Sequence, residues 1–367
     1  MCKTVVFVGT YTQPIRFGTG EVLQGHGKGI YCYVLKDDQM VECTVAQTVN
    51  ASFLTMDHKQ RHLYATNELK EYQGLPGGAV SAFRFDPQTM EIQYLNTQPV
   101  GGADPCHVEM DSEDEHLYCA NFMSGSVTVL PIKRDGSLDE QSCLIQHQGS
   151  SVNPTRQQGP HAHGIFFAPD NTLLYVPDLG MDRIVCYRPT KAGELVPQPD
   201  KDIPSPAPGL GPRHMVFHPS GDYVYVNTEM GSTVHAYRYN RGTGKATLIQ
   251  SLSTLPHGEN GEQSTTAAIK LHPNGKLLYV SNRGHDSLAT YRVDQQTGLL
   301  TLLAIQPTGG RIPRDFAFTP DGKYLIAAHQ SSDDVCLFRV NVESGALTLV
   351  ERIEVPTPIC VRCYTFA

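Results

Sequence analysis

The chain has 367 residues, with 29 basic against 37 acidic and a formal net charge of -8. With no basic run and no interleaving of basic and aromatic residues, that balance excludes nucleic acid as an expected partner. The first apolar run, in MCKTVVFVGTYTQ, is too short for a secretory signal and no later one approaches a membrane span, so a cytoplasmic protein without a membrane partner is expected.

In chain order, the amino-terminal stretch offers three strand-like runs, VVFVGTYT, GIYCYVLK and VECTVAQTV. Six segments then align without a gap: SFLTMDHKQRHLYATNE, CHVEMDSEDEHLYCANF, HGIFFAPDNTLLYVPDL, RHMVFHPSGDYVYVNTE, AAIKLHPNGKLLYVSNR and RDFAFTPDGKYLIAAHQ. Each reads as strand, polar turn, strand, with Pro-Asp-Gly or similar turn chemistry in several. Behind each pair comes a third alternating run (STVHAYRYN, DSLATYRVD, DDVCLFRVN), a second turn (QQTGL, ESGAL) and a short fourth strand (LTLLAIQ, LTLVERI). Four strands recurring about every 45 to 55 residues is the period of propeller blades. The terminal run ICVRCYTF is a lone strand, and with the three amino-terminal ones it completes a seventh blade. The expectation is an all-β, seven-bladed β-propeller of four-stranded antiparallel blades, one domain over residues 1–367. A solenoid or a β-sandwich would also repeat, but neither accounts for a blade split between the termini. Closure leaves no open sheet edge, so a monomer is expected.

The ten cysteines are scattered, often inside apolar runs such as IVCYR and DVCLFR, which suits buried thiols rather than a disulfide framework. Cys360 and Cys363 have CxxC spacing, but on a strand an offset of three sends the side chains to opposite faces.

Since the repeat explains the apolar positions, functional residues are sought where equivalent positions turn polar. Counted from the second-strand Tyr (Ile326 in the last repeat), the position twelve residues earlier holds Ser52, Cys106, His163, Arg213, Ala267 and Arg314. The position four residues later holds Glu68, Phe122, Leu179, Glu229, Arg283 and Gln330. In an antiparallel pair, the start of one strand and the end of the next share an edge, so both sets ring one mouth of the central channel. His161, two residues before His163, points the same way by strand alternation, whereas His107 and His214, one residue past the register, should face away. Taken singly, each has a structural reading, such as a hydrogen-bonded histidine or an Arg213–Glu229 ion pair. Together, three arginines at one mouth of an acidic protein indicate a visiting anion. No metal signature is present and no cofactor is expected; His161 and His163 have no third ligand near them in sequence.

At QGPHAHGIFFAPDNTLLYVPDLGMDR, GPRHMVFHPSGDYVYVNTE, YVSNRGHDSLATYRVD and PTGGRIPRDFAFTPDGKYLIAAHQ, the sequence resembles the lactonase family of seven-bladed propellers, whose members include a bacterial 6-phosphogluconolactonase and a fungal 3-carboxymuconate cyclase. The resemblance runs from VGTYT to PICV. It implies a site histidine in GPHAH (His161 or His163), site arginines at Arg213 and Arg283, and a site acid at Glu229. In a lactone hydrolase Glu229 would be the general base, Arg213 and Arg283 the oxyanion donors and His163 or His161 the general acid. Arg314 would hold a phosphate or carboxylate of a small anionic substrate, with Glu68 and Gln330 as further binding residues. The expected reaction is hydrolysis of 6-phosphogluconolactone to 6-phosphogluconate. The alternatives are lactonization of 3-carboxy-cis,cis-muconate and, from a different class, a non-catalytic propeller that binds partners on its faces.

Overall fold

The computed structural model describes residues 2–259 and 263–366. Among them there is no α-helix; apart from one 3-10 turn at Pro199–Lys201 and two small hairpins, the strands form seven antiparallel blades. The innermost strands are Ala51–Met56, Pro105–Met110, Phe166–Phe167, Pro212–Phe217, Thr265–Leu271, Pro313–Phe318 and Pro358–Phe366. We number the blades 1 to 7 in that order. In blade 7 the carboxy-terminal strand is innermost and pairs with Lys3–Thr10, followed outward by Gly29–Lys36 and Gln39–Gln47, so the termini close the ring as expected.

The repeat tyrosine has a physical role. All five are buried, and four donate their hydroxyl to the carbonyl of a turn glycine in the next blade: Tyr64 to Gly136 at 3.0 Å, Tyr175 to Gly244 at 2.6 Å, Tyr225 to Gly298 at 3.0 Å and Tyr279 to Gly345 at 2.9 Å. Those four glycines are left-handed (φ 71–86°), a conformation most side chains resist. One repeat position thus anchors its own blade in the apolar core and ties it to the next. That core lies between blades. Tyr175, Ile184, Val224 and Tyr237 form one cluster across blades 3 and 4, and Tyr225, Val234, Leu278 and Tyr291 another across blades 4 and 5. All ten cysteines are free; Cys360 and Cys363 pack into different clusters on opposite faces of blade 7.

Blade 3 departs from the sequence pattern. Its innermost strand is reduced to two residues plus a single bridge from Ala162 to Asp178. Between them Gly164 lies so close to the Phe166 ring that a Cβ would come within 2.4 Å of it. The ladder is therefore interrupted just after His163, whose N–H still donates to the Pro177 carbonyl at 2.9 Å.

Candidate active site

The register that starts each innermost strand is a ring of β-bulges. Pro105 pairs with Asn121 and His107 with Ala120, leaving Cys106 as the extra residue; Arg213, Arg314 and Ile359 are extra in the same way in blades 4, 6 and 7. A bulge re-aims the side chain it carries, which here turns toward the channel axis. Ser52, Cys106, His163, Arg213, Arg314 and Ile359 surround a waist of about 10 Å³, room for about one water. Above the waist opens a cavity of about 250 Å³ lined by Glu68, Cys106, Phe122, His163, Glu229, Arg283, Arg314 and Gln330 among others. The bulge also corrects the expectation for His107 and His214. Both line a second cavity below the waist instead of facing away, because two consecutive residues of a bulged strand can address the channel.

Glu229, just past the end of Tyr223–Thr228, is the centre of the upper cavity. Its Oε1 accepts from Arg156 Nη2 at 2.6 Å; its Oε2 accepts from Arg213 Nε at 3.1 Å and lies 2.9 Å from Arg283 Nη2. Burial opposes its charge, but Arg283, Arg156 and Arg213 outweigh that and hold the carboxyl well below the usual carboxylate range. Three guanidinium groups on one carboxylate leave two positive charges unanswered.

Arg213 is not on the cavity wall. It lies at the waist with Nε on Glu229 and Nη1 donating to the Ala267 carbonyl at 2.5 Å, so its donors face protein. Arg283 and Arg156 form the wall instead. Arg156 belongs to a strandless connection between blades 2 and 3 that reaches back over the mouth, a position no repeat register marks.

The two histidines separate. His163 lines the cavity, with Glu229 Oε2 at 3.8 Å from Nε2 and Cys106 Sγ at 3.7 Å from Nδ1, both beyond a firm hydrogen bond. Burial first, then the charge on Arg213, hold the ring well below the ordinary imidazole value, so it is neutral at pH 7. His161 lies outside the cavity lining: its Nδ1 is committed to the Phe122 carbonyl at 3.0 Å, its ring stacks on Phe122 and its backbone N–H donates to Asp178. Strand alternation points both toward the mouth, and the ladder is intact between them; the bond to the Phe122 carbonyl and the stacking on its ring are what keep His161 out of the lining.

Arg314 faces the cavity with no ion-pair partner among the described residues. Its guanidinium lies over the rings of Tyr11 (5.9 Å) and Phe17 (5.5 Å). Phe17 belongs to a hairpin of Ile15–Arg16 and Val22–Leu23 that arches over the mouth. Opposite the arginines stand two carboxyls: Glu68, whose Oε2 accepts from Tyr11 Oη at 3.1 Å, and Asp104. Gln330 completes the rim; Leu179, from the same register, is buried and does not reach the cavity. Asp104 escaped the sequence reading although it stands at the offset that marked His161, two residues before the bulge. One buried group of metal-ligand type occurs among the described residues, His329, Asp334 and Cys336 in blade 6. None of the three lines the cavity, and Asp334 is already paired with His329 and Arg352, each at 2.6 Å.

Residues 5–363 match the family model described as lactonase, 7-bladed beta-propeller. The chain is 34% identical over 321 residues to the 6-phosphogluconolactonase of Bacillus subtilis, covering 87% of this chain and 86% of the relative. It is 30% identical over 316 residues to the 6-phosphogluconolactonase of Formosa agariphila, covering 85% of each. Among solved structures it is similar to the periplasmic gluconolactonase of Pseudomonas aeruginosa, with a TM-score of 0.88 and 31% identity over 99% of both chains.

Proposed function

This chain belongs to the lactonase family of seven-bladed β-propellers, and from that premise we propose that it is a lactone hydrolase whose substrate is an anionic sugar lactone, 6-phosphogluconolactone foremost. The observation that carries the anionic part is the charge surplus around Glu229, with the unpaired Arg314 beside it. Set against Glu229 and the buried Glu68, the four arginines leave two positive charges, which a phosphate dianion balances and guanidinium groups receive bidentately.

The geometry redistributes the roles expected from sequence. Both Glu229 oxygens are taken by arginines, so instead of accepting a proton from water Glu229 fixes Arg156 and Arg283 at the wall. Their remaining N–H groups supply the oxyanion stabilisation, a contribution of about 3 to 4 kcal/mol per donor in other hydrolases. Neutral His163 takes the proton from the attacking water, and the nearby Glu229 carboxylate steadies the imidazolium that forms. Arg213 acts from behind, holding Glu229 in place. Arg314 and Gln330 receive the anionic end of the substrate. His161 supports Phe122 in the wall.

The cyclase alternative is set aside, because the named relatives above are sugar lactonases. A purely non-catalytic propeller would not need an unpaired charge surplus inside its channel. The test is turnover of 6-phosphogluconolactone by the pure protein in a pH-stat, corrected for spontaneous hydrolysis. Rapid turnover is expected, with none of 3-carboxy-cis,cis-muconate; turnover of the muconate alone would overturn the reading.

A further inference from the structure

The carboxyl wall opposite the arginines has no part in the mechanism above. Asp104 stands immediately before Pro105, at the place Gly211 and Ile312 occupy before their own innermost strands, and shares their left-handed backbone (φ 53°, against 66° and 58°). The pose is fixed by neighbours: its N–H donates to the Leu69 carbonyl and its carbonyl accepts from the Phe122 N–H, both at 2.9 Å. The side chain is buried, 5% exposed, and lines the cavity. Among the described residues no donor hydrogen-bonds its carboxyl oxygens, and the nearest cation, Lys70 Nζ, is 3.8 Å away. A buried carboxyl without donors is costly as an anion.

Of the charged groups around it, the carboxyls add to the effect of burial and the cations oppose it. Glu68, from the end of the neighbouring strand, faces it as a second carboxyl; Lys70 opposes that from the rim. Glu21, on the overlying hairpin, adds another carboxyl at the mouth, and Arg314 faces across the cavity. Burial first, then Glu68, raise Asp104 to about 7, so that it carries its proton for much of the time at neutral pH. The mechanism above assigns a base and an oxyanion site but gives no residue the task of protonating the leaving ring oxygen.

We propose that Asp104 is a further catalytic residue, the general acid that protonates the lactone ring oxygen as it leaves, a role that rests on the lactonase reading above. Water oxygen bonds to the carbonyl carbon while its proton passes to His163 and the carbonyl π pair becomes the oxyanion facing Arg156 and Arg283. The oxyanion pair then re-forms the carbonyl, the bond from carbonyl carbon to ring oxygen breaks, and its electron pair takes the Asp104 proton. The product acid ionises and releases one proton to solvent. The imidazolium of His163, more acidic than the Asp104 carboxyl, returns its proton to that carboxylate and resets the site.

The test is Asp104→Asn, which keeps the size and the uncharged state and suits a left-handed backbone. With 6-phosphogluconolactone between pH 5.5 and 8, wild-type kcat is expected to decline above about pH 7 as Asp104 loses its proton. The variant should run about 100-fold slower at pH 6 with that decline abolished, and bind 6-phosphogluconate with unchanged affinity. On the analogue with sulfur in place of the ring oxygen, whose thiolate leaves without help, the variant's deficit should shrink to roughly 10-fold or less. A variant within about 3-fold of wild type, a retained decline above pH 7, or equal deficits on both lactones would overturn the proposal. Should wild type hydrolyse no sugar lactone at all, the lactonase reading itself fails and this assignment with it.

Discussion

The two ends of the central channel are built from the same strands and both hold buried charge, yet they differ in whether that charge is answered locally. At the lower end Asp315 receives Lys270 Nζ and Arg362 Nη1, each at 2.9 Å, and the Val361 N–H at 3.0 Å; Glu109 stands nearby and Arg362 covers the Phe53 ring at 4.1 Å. Two cations thus face two carboxyls. At the upper end three arginines share Glu229, and a fourth, Arg314, has no ion-pair partner among the described residues; with Asp104 largely protonated, four arginines there meet only two buried carboxylates, Glu229 and Glu68. A cluster whose charges balance internally holds blades together, whereas one left with a surplus is organised around something that arrives from outside.

The sharpest way to break this comparison is to remove the central carboxylate at each end. Glu229→Gln should lower kcat/KM by about 1,000-fold, because it frees the arginines that form the oxyanion wall. Asp315→Asn should instead act on stability, costing about 2 to 4 kcal/mol by taking the buried carboxylate from two half-buried cations, while the folded fraction retains activity. Denaturant titration beside steady-state kinetics separates the two outcomes; equal activity losses would erase the distinction. Next in size, His163→Asn should reduce kcat by about 100-fold or more with KM little changed. His161→Asn, whose wild-type ring nitrogen is committed to a backbone carbonyl, should stay within about 10-fold of wild type by the same assay.

The smallest effect concerns the imidazoles that run through the waist. His163, His214 and His107 have successive ring centroids 5.4 and 5.3 Å apart, and burial holds all three well below the ordinary imidazole value. Above the unfolded-state value of about 6.5 each is neutral in both states and stability is indifferent to pH. Below it the unfolded chain binds protons that the folded one refuses, so stability falls with pH. Between pH 7 and 5 the loss should be about 1 to 2 kcal/mol per histidine, and His107→Phe should flatten that dependence in thermal melts.

Much of this was legible in the sequence because the repeat is rigid. The first two strands of six blades span segments of constant length, so counting from Tyr225 or Tyr279 lands on equivalent positions, and all of those but Leu179 and Ala267 surround one cavity and its waist. What counting could not convey is that the strand start is bulged. Without the bulge His107 and His214 point away; with it they line the channel. Nor could it place Arg156, which lies in a connection with no period and reaches the site only through the closed ring. Asp104 was readable in principle from the His161 offset, but its chemistry depends on burial beside Glu68, which a single sequence does not display. Arg213 and Glu229 were found together, yet which of them faces the cavity is decided by the Ala267 carbonyl of the next blade.

The central claim is that the surplus charge of the upper cavity receives the substrate's anionic group. It is tested most directly by the ratio of kcat/KM for 6-phosphogluconolactone to that for unphosphorylated gluconolactone, measured in wild type and in Arg314→Ala. The account requires a strong preference for the phosphorylated lactone in wild type, reduced about 10- to 100-fold in the variant through KM on that substrate alone. Equal efficiency on both lactones, unchanged by the substitution, would contradict it.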